Sequence, residues 1–198
     1  MNIFYLDHDP TKCAMYHVDK HVVKMIVEYA QLLSTAHRVL DGKAVEMPYT
    51  TIRYVYDDNE QLQVISNNKT KVRKVLSLHN IDPIKESKLY AATHANHPSA
   101  IWVRQSKNNY MWLLSLLKEL IKEYTYRYDN IHKTSRIVPY LESAPINIPQ
   151  HDKFVAPSLA MPDKYRSNNA LFSYRRFYKH EKAHLFSWSK REAPMFCN

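Results

Sequence analysis

A chain of 198 residues is long enough for one domain with a substantial core. Its hydrophobic content of 45% is that of a globular protein, and no apolar run approaches the roughly 20 residues a membrane-spanning helix needs. Lys and Arg number 28 against 19 acids, a net charge of +9, and 15 tyrosines and 3 tryptophans lie among them. Bases neutralise phosphates and aromatics stack on unpaired bases, so nucleic acid, double-stranded DNA first, is the expected partner. The bland alternative is charge that serves solubility alone. A single glycine, Gly42, argues against Gly-rich phosphate loops and against an all-β fold full of tight turns. Two cysteines, Cys13 and Cys197, give no disulfide framework. With no basic, long-apolar leader at the N-terminus, a cytoplasmic setting is expected. Neither membrane contact nor a cofactor is expected.

In chain order, residues 2–6 read as a short strand or extended arm, and Asp9-Pro10-Thr11 as a capped helix start. One helix is then expected from about Thr11 to Leu40, stopped at Asp41-Gly42. Residues 43–90 carry little pattern: weak alternation over Thr51 to Tyr56, a lysine-rich stretch, and a helix expected at Lys71 to Leu78. They read as a basic insertion or small lobe. Pro98 opens a second helix that Ser106 caps or bends, and Tyr110, Leu113, Leu114, Leu117, Leu120, Ile121 and Tyr124 form its apolar face. Recurrent proline makes residues 137–163 an extended wrap, and a last helix is expected from Ser167-Asn168-Asn169 to about Lys190. The resulting expectation is an all-α fold: a single helical domain over residues 1–198, built on three long helices.

The first helix holds the most chemistry. At about 100° per residue, His17, His21, Lys24, Glu28, Gln31 and Thr35 fall on one narrow stripe of an otherwise apolar cylinder. Such a stripe faces either a cleft or solvent. In a cleft, Lys24 beside an imidazole can act as a nucleophile and Glu28 as acid or base. On a surface, Lys24 and Glu28 are an ordinary i,i+4 pair. The imidazoles at 17 and 21 have helical zinc spacing, but no third ligand is suitably spaced, so no metal site is expected. His97, Trp102, Arg104, Asn109 and Trp112 suit phosphate or base recognition, the alternative being that the tryptophans are core. Tyr174, Arg175, Arg176, Lys179 and Lys182 form a basic, aromatic face suited to a nucleic-acid backbone, or a solvated one.

Three blocks carry a resemblance: MNIFYLDHDP with HVDKHVVKMIVEYAQLLSTAH, NHPSAIWVRQSKNNYMWLL with EYTYRYDNIHK, and MPDKYRSNNALFSYRRFYKHEKAHLFSW. They resemble a family of mostly uncharacterised small proteins from tailed phages and other large DNA viruses. More distantly, the order of features is similar to the pyrimidine-dimer DNA glycosylases of the endonuclease V type, compact helical proteins that flip a base and cleave its glycosidic bond. The matching features are the short arm, the polar first-helix stripe, His97 leading a helix that ends Glu123-x3-Arg127, Met161-Pro162-Asp163, and the basic-aromatic tail. That resemblance implies a terminal amine as nucleophile, here that of Met1 because Asn2 is not small. It implies a catalytic carboxylate in the first helix, either Glu28 or Asp19, with His21 and Lys24 where the family carries arginines.

The function expected is therefore that of a phage DNA glycosylase acting on a damaged or modified base, with or without lyase activity. Catalytic groups would come from His21, Lys24, Glu28, Asp19 and Met1. His17, Gln31, His97, Trp102, Arg104 and Asn109 would bind the substrate, and Arg127, Lys133, Tyr174, Arg175 and Lys182 the backbone. The alternatives are a non-catalytic DNA- or RNA-binding module and an enzyme on a free nucleotide.

Overall fold

The computed structural model describes residues 2–49, 71–150 and 153–197 in full, and residues 52–56 and 62–66 as backbone. The N-terminal arm runs extended through the interior, where Ile3, Phe4, Tyr5 and Leu6 are all buried. Helix α1 (Pro10–Tyr16) starts on Asp9, whose carboxylate accepts from the Thr11 N–H. The expected single first helix is interrupted: His17 and Val18 are extended, and α2 (Asp19–Leu40) begins after them. The cause is tertiary. The His17 ring donates through Nδ1 to the Cys13 carbonyl at 2.7 Å, and the Arg127 guanidinium takes the carbonyls of Met15 and His17. With those acceptors occupied, the helical ladder cannot continue across this point.

The all-α expectation is incorrect: the fold is mostly helical but carries four strands between residues 43 and 77. Strands β1 (Lys43–Tyr49) and β4 (Lys71–Ser77) pair antiparallel, and β2 (Ile52–Tyr56) and β3 (Leu62–Ser66) pair antiparallel between them in sequence. The helix expected at Lys71 to Leu78 is β4. IRYVY and LQVIS supply the β-branched and aromatic content that favours strands, read above as weak alternation in the first and as part of a lysine-rich stretch in the second. The β1–β4 ribbon is largely solvent-exposed along its length, and its base is anchored by one residue of α2. Arg38, 5% exposed, donates to the carbonyls of Leu76, Glu86, Leu89 and Tyr90 and pairs with the Glu86 carboxylate at 2.7 Å. The ribbon leaves α2 through Gly42, where a Cβ would lie 2.3 Å from the Arg38 carbonyl oxygen. No side chain fits there.

A short helix, α3 (Pro83–Lys88), follows and leads to α4 (Pro98–Gln105), capped by the His97 ring. Ser106 is extended and caps α5 (Lys107–Tyr128) by accepting from the Asn109 N–H, so the bend expected at this serine is a complete break between two helices. α5 packs along α2 with Leu113, Leu114, Leu116, Leu117 and Leu120 buried in the core. Residues 133–141 form a 3-10 turn and a one-turn helix, α6 (Val138–Leu141), which the proline pattern did not suggest. The segment beyond is extended, and the body holds it down through individual hydrogen bonds. Asp41 accepts from the N–H groups of Ile146 and Asn147, and Asn109 from that of Val155. The last helix, α7 (Ala170–Glu181), starts on Asn169 as expected but stops well short of Lys190. Its continuation turns back so that Ser187 and Ser189 reach the carboxylate of Asp19. Among the described residues no helix is long and apolar enough to cross a membrane.

Candidate functional site

The first-helix stripe does not behave as one surface. His17 lies outside α2 and is fully buried. Its Nδ1–H donates to the Cys13 carbonyl, which leaves Nε2 to accept from the Tyr29 hydroxyl at 3.2 Å. Tyr29 in turn accepts from the Phe4 N–H at 3.1 Å. Burial pushes the His17 pKa down to about 4, so the ring is neutral and its bonding capacity is spent. Thr35, at the other end of the stripe, is buried and ties α2 to the backbone of Thr93. Neither residue is placed to bind substrate.

Between them the stripe opens. Asn2, Phe4, His21, Lys24, Met25, Glu28 and Lys182 line a cleft of about 180 Å³ where the arm, α2 and the end of α7 meet. The Tyr178 hydroxyl accepts from the Val18 N–H at 2.9 Å, so its own proton goes to His21 Nδ1 at 2.8 Å. His21 therefore carries its remaining proton on Nε2. Its ring stacks on Phe4 with centroids 4.5 Å apart. Burial, with the like charges of His17, Lys182 and Lys24, lowers its pKa to about 3, so at neutral pH it is an uncharged donor. Glu28 sits 3.4 Å from the Lys24 ammonium; its side chain is 17% exposed whereas that of Lys24 is 69% exposed. That difference assigns the roles. The carboxylate is held in place, and the ammonium is free to reach an anion. Lys182 supplies a second cation from α7. His97, capping α4, lies close enough for the Glu28 charge to oppose the downward push of burial on its pKa. Gln31, one turn beyond Glu28, is half-buried.

The other candidates are placed elsewhere. Asp19 is not a catalytic carboxylate in this geometry: its oxygens accept from Arg127, Ser187 and Ser189 at 2.7–3.0 Å. Burial raises its pKa, but those hydrogen bonds outweigh it and hold the pKa below its ordinary value. Arg127 has a fully buried side chain and pairs with Glu123 at 2.7 Å and with Asp19 at 2.9 Å. No part of it reaches the surface, so it cannot contact a nucleic-acid backbone. Arg191 closes the cluster on Glu123 with two bonds. Trp102 is 1% exposed, donates to the Val155 carbonyl and packs edge-on against Trp112 and Phe154, so it is core and has no face for a flipped base. Asn109 is buried and spends its amide on Trp102 and Val155. Arg104 donates to the Ala95 carbonyl beside α4. Tyr174 is buried on the Ser158 carbonyl. Arg175 is half-buried on the Leu6 carbonyl and Asp7, while Lys133 is exposed at the start of the 3-10 turn. Met1 lies outside the described residues.

Three lining residues escaped the sequence reading as site residues: Met25, read only as part of the apolar face, and Asn2 and Phe4 of the arm. The only signal for the two arm residues was the unusually apolar IFYL of the arm, which marks burial but not what it is buried against. Among the described residues no group of three His, Cys, Asp or Glu side chains converges as a metal site would require. No known protein family matches the chain, and no curated protein or solved structure is significantly similar to it.

Proposed function

We propose that the protein is a nucleic-acid enzyme that cleaves the glycosidic bond of a damaged or modified base, with its reaction centre in the cleft between the arm and α2. The observation that carries this reading is the convergence of one held carboxylate, Glu28, with the two ammoniums of Lys24 and Lys182 and the neutral imidazole of His21. Cations on either side of the cleft suit the phosphates flanking a sugar. A carboxylate in the same cleft suits the positive charge that develops on that sugar as the bond breaks, and it can accept a proton from the water that attacks C1′. The uncharged His21 can donate a hydrogen bond to the departing base without repelling a cationic transition state. The net charge of +9 supports the substrate class, and the distant resemblance to the pyrimidine-dimer glycosylases supports the bond.

The test is release of base from undamaged, ultraviolet-irradiated and phage-modified duplex DNA, with borohydride present to trap a Schiff base. Glu28→Gln is expected to lower release by about 10²-fold or more. A trapped adduct on the N-terminal amine or on Lys24 identifies an amine nucleophile, and release without an adduct identifies water. Release unchanged in Glu28→Gln and His21→Ala would sink the assignment.

A second reading is a non-catalytic DNA- or RNA-binding module. The observation favouring it is that His17, Asp19 and Thr35 are consumed by internal bonds, leaving a short cleft. It predicts salt-sensitive duplex binding with no product.

A further inference from the structure

The exposed side of α7 carries a second concavity that the cleft chemistry does not use. Phe172, Arg175, Arg176, Lys179, His180 and Phe196 enclose about 280 Å³ with mostly apolar walls. Phe172 is 57% exposed, so much of its ring faces solvent. On the opposite side, the Arg175 guanidinium lies over Phe196 at 4.9 Å and is fixed there by Asp7 at 2.9 Å and by the Leu6 carbonyl. His180 is steadied by stacking on Tyr165 at 16° between planes. Arg176 is exposed and has no hydrogen-bond or ion-pair partner among the described residues. No carboxylate side chain lines the pocket among the described residues. Flat apolar walls with a cationic rim fit a ligand that is aromatic at one end and anionic at the other.

We infer that this pocket binds one nucleotide unit, its base against Phe172 and its phosphate on Arg176. Base–aromatic stacking tolerates any base, because every base has a π-face. The pocket and the cleft also lie on one helix. Lys182, which lines the cleft, is seven residues beyond Arg175, about 10 Å along the helix axis and only about 20° around it. A single strand following α7 would pass from the pocket to the cleft. The choice of a strand as the source rests on the nucleic-acid reading above; the site itself does not.

The experiment is binding of fluorescein-labelled oligothymidylate by anisotropy and of thymidine monophosphate by calorimetry, with inorganic phosphate as competitor. Wild type, Phe172→Ala, Arg176→Ala and Lys107→Ala are compared, the last an exposed lysine on α5 that controls for general charge. Phe172→Ala is expected to weaken oligonucleotide binding by about tenfold with unchanged thermal stability. Arg176→Ala is expected to weaken it well beyond Lys107→Ala. Saturable mononucleotide binding lost in Phe172→Ala supports the site with free nucleotide as a ligand, and oligonucleotide binding alone supports it with a strand. Affinity indifferent to Phe172, or an Arg176→Ala effect no larger than that of Lys107→Ala, overturns it. Base release that persists while both variants bind normally would overturn this inference and leave the glycosylase reading standing. Phe172-dependent binding without base release would do the reverse.

Discussion

Helix α2 carries two polar clusters about 13 Å apart, and they are built on opposite principles. At its start, Asp19, Glu123, Arg127 and Arg191 form a closed network. Burial favours the neutral form of Glu123, but hydrogen bonds from Arg191 and Arg127 outweigh it and hold its pKa below the ordinary value. The guanidinium of Arg127 also satisfies the two carbonyls freed by the break between α1 and α2. About two and a half turns later, Glu28 and Lys24 form a single pair, and the cleft beside it is open. Both clusters contain a carboxylate and a base at helical spacing. The closed one is structural because its charges are spent on one another and on the chain's own carbonyls; the open one can act because Lys24 and Lys182 have capacity left.

The comparison breaks first at the closed end. Arg127→Ala leaves Glu123 buried with one partner fewer and two carbonyls unpaired, a loss of about 3–5 kcal/mol expected in denaturant unfolding. A loss below about 1 kcal/mol would mean that the network is not closed.

Acid should act next, and in one direction. The folded-state pKa values of His17, His21 and His37 are depressed, to about 4, 3 and 4. Below pH 6.5 the unfolded chain therefore binds more protons than the folded one, so their contribution is full above pH 6.5 and declines as pH falls toward 4. For the fully buried His17 the decline amounts to about 3 kcal/mol. The depressed carboxylates Asp19 and Glu123 add a further loss of the same sign below about pH 4. Unfolding free energy measured from pH 7.5 to 4 should hold its value to about pH 6.5 and fall from there, and a flat profile would mean that these rings are not held neutral.

Gly42→Ala sharpens the picture at the other end of α2. A methyl group 2.3 Å from the Arg38 carbonyl must displace the helix end or the ribbon base, at a cost on the order of 1–3 kcal/mol. Hydrogen exchange should then speed up in β1 and β4 before it does in α5.

The smallest effect on stability should come with the largest effect on activity. Glu28→Gln and Lys24→Ala should each change stability by no more than about 0.5 kcal/mol, since the pair is half in solvent. If either destabilises the chain as strongly as Arg127→Ala, the cleft is a second structural cluster and not a site.

The sequence by itself determined the parts of this protein governed by local physics. The 3.6-residue periodicity of Tyr110, Leu113, Leu117 and Leu120 marks a buried helix wherever the chain folds. Asp9, Ser106 and Asn169 cap helices through bonds to residues two or three positions away, and Pro10 and Pro98 suit the first helical turn, which is why those boundaries were legible. The stripe on the first helix was legible as a stripe, and Lys24 and Glu28 were its open part. Only the tertiary structure decided which polar residues are spent. Arg127 meets Asp19 across 108 residues, Tyr178 meets His21 across 157, and Trp102 gives its indole proton to a carbonyl 53 positions on. The strand identity of residues 43–49 and 71–77 was equally hidden, because pairing 43 with 77 depends on a partner strand that no local pattern names. A side chain's type announces the bonds it can make; whether a ligand or the protein itself makes them is set by contacts distant in sequence.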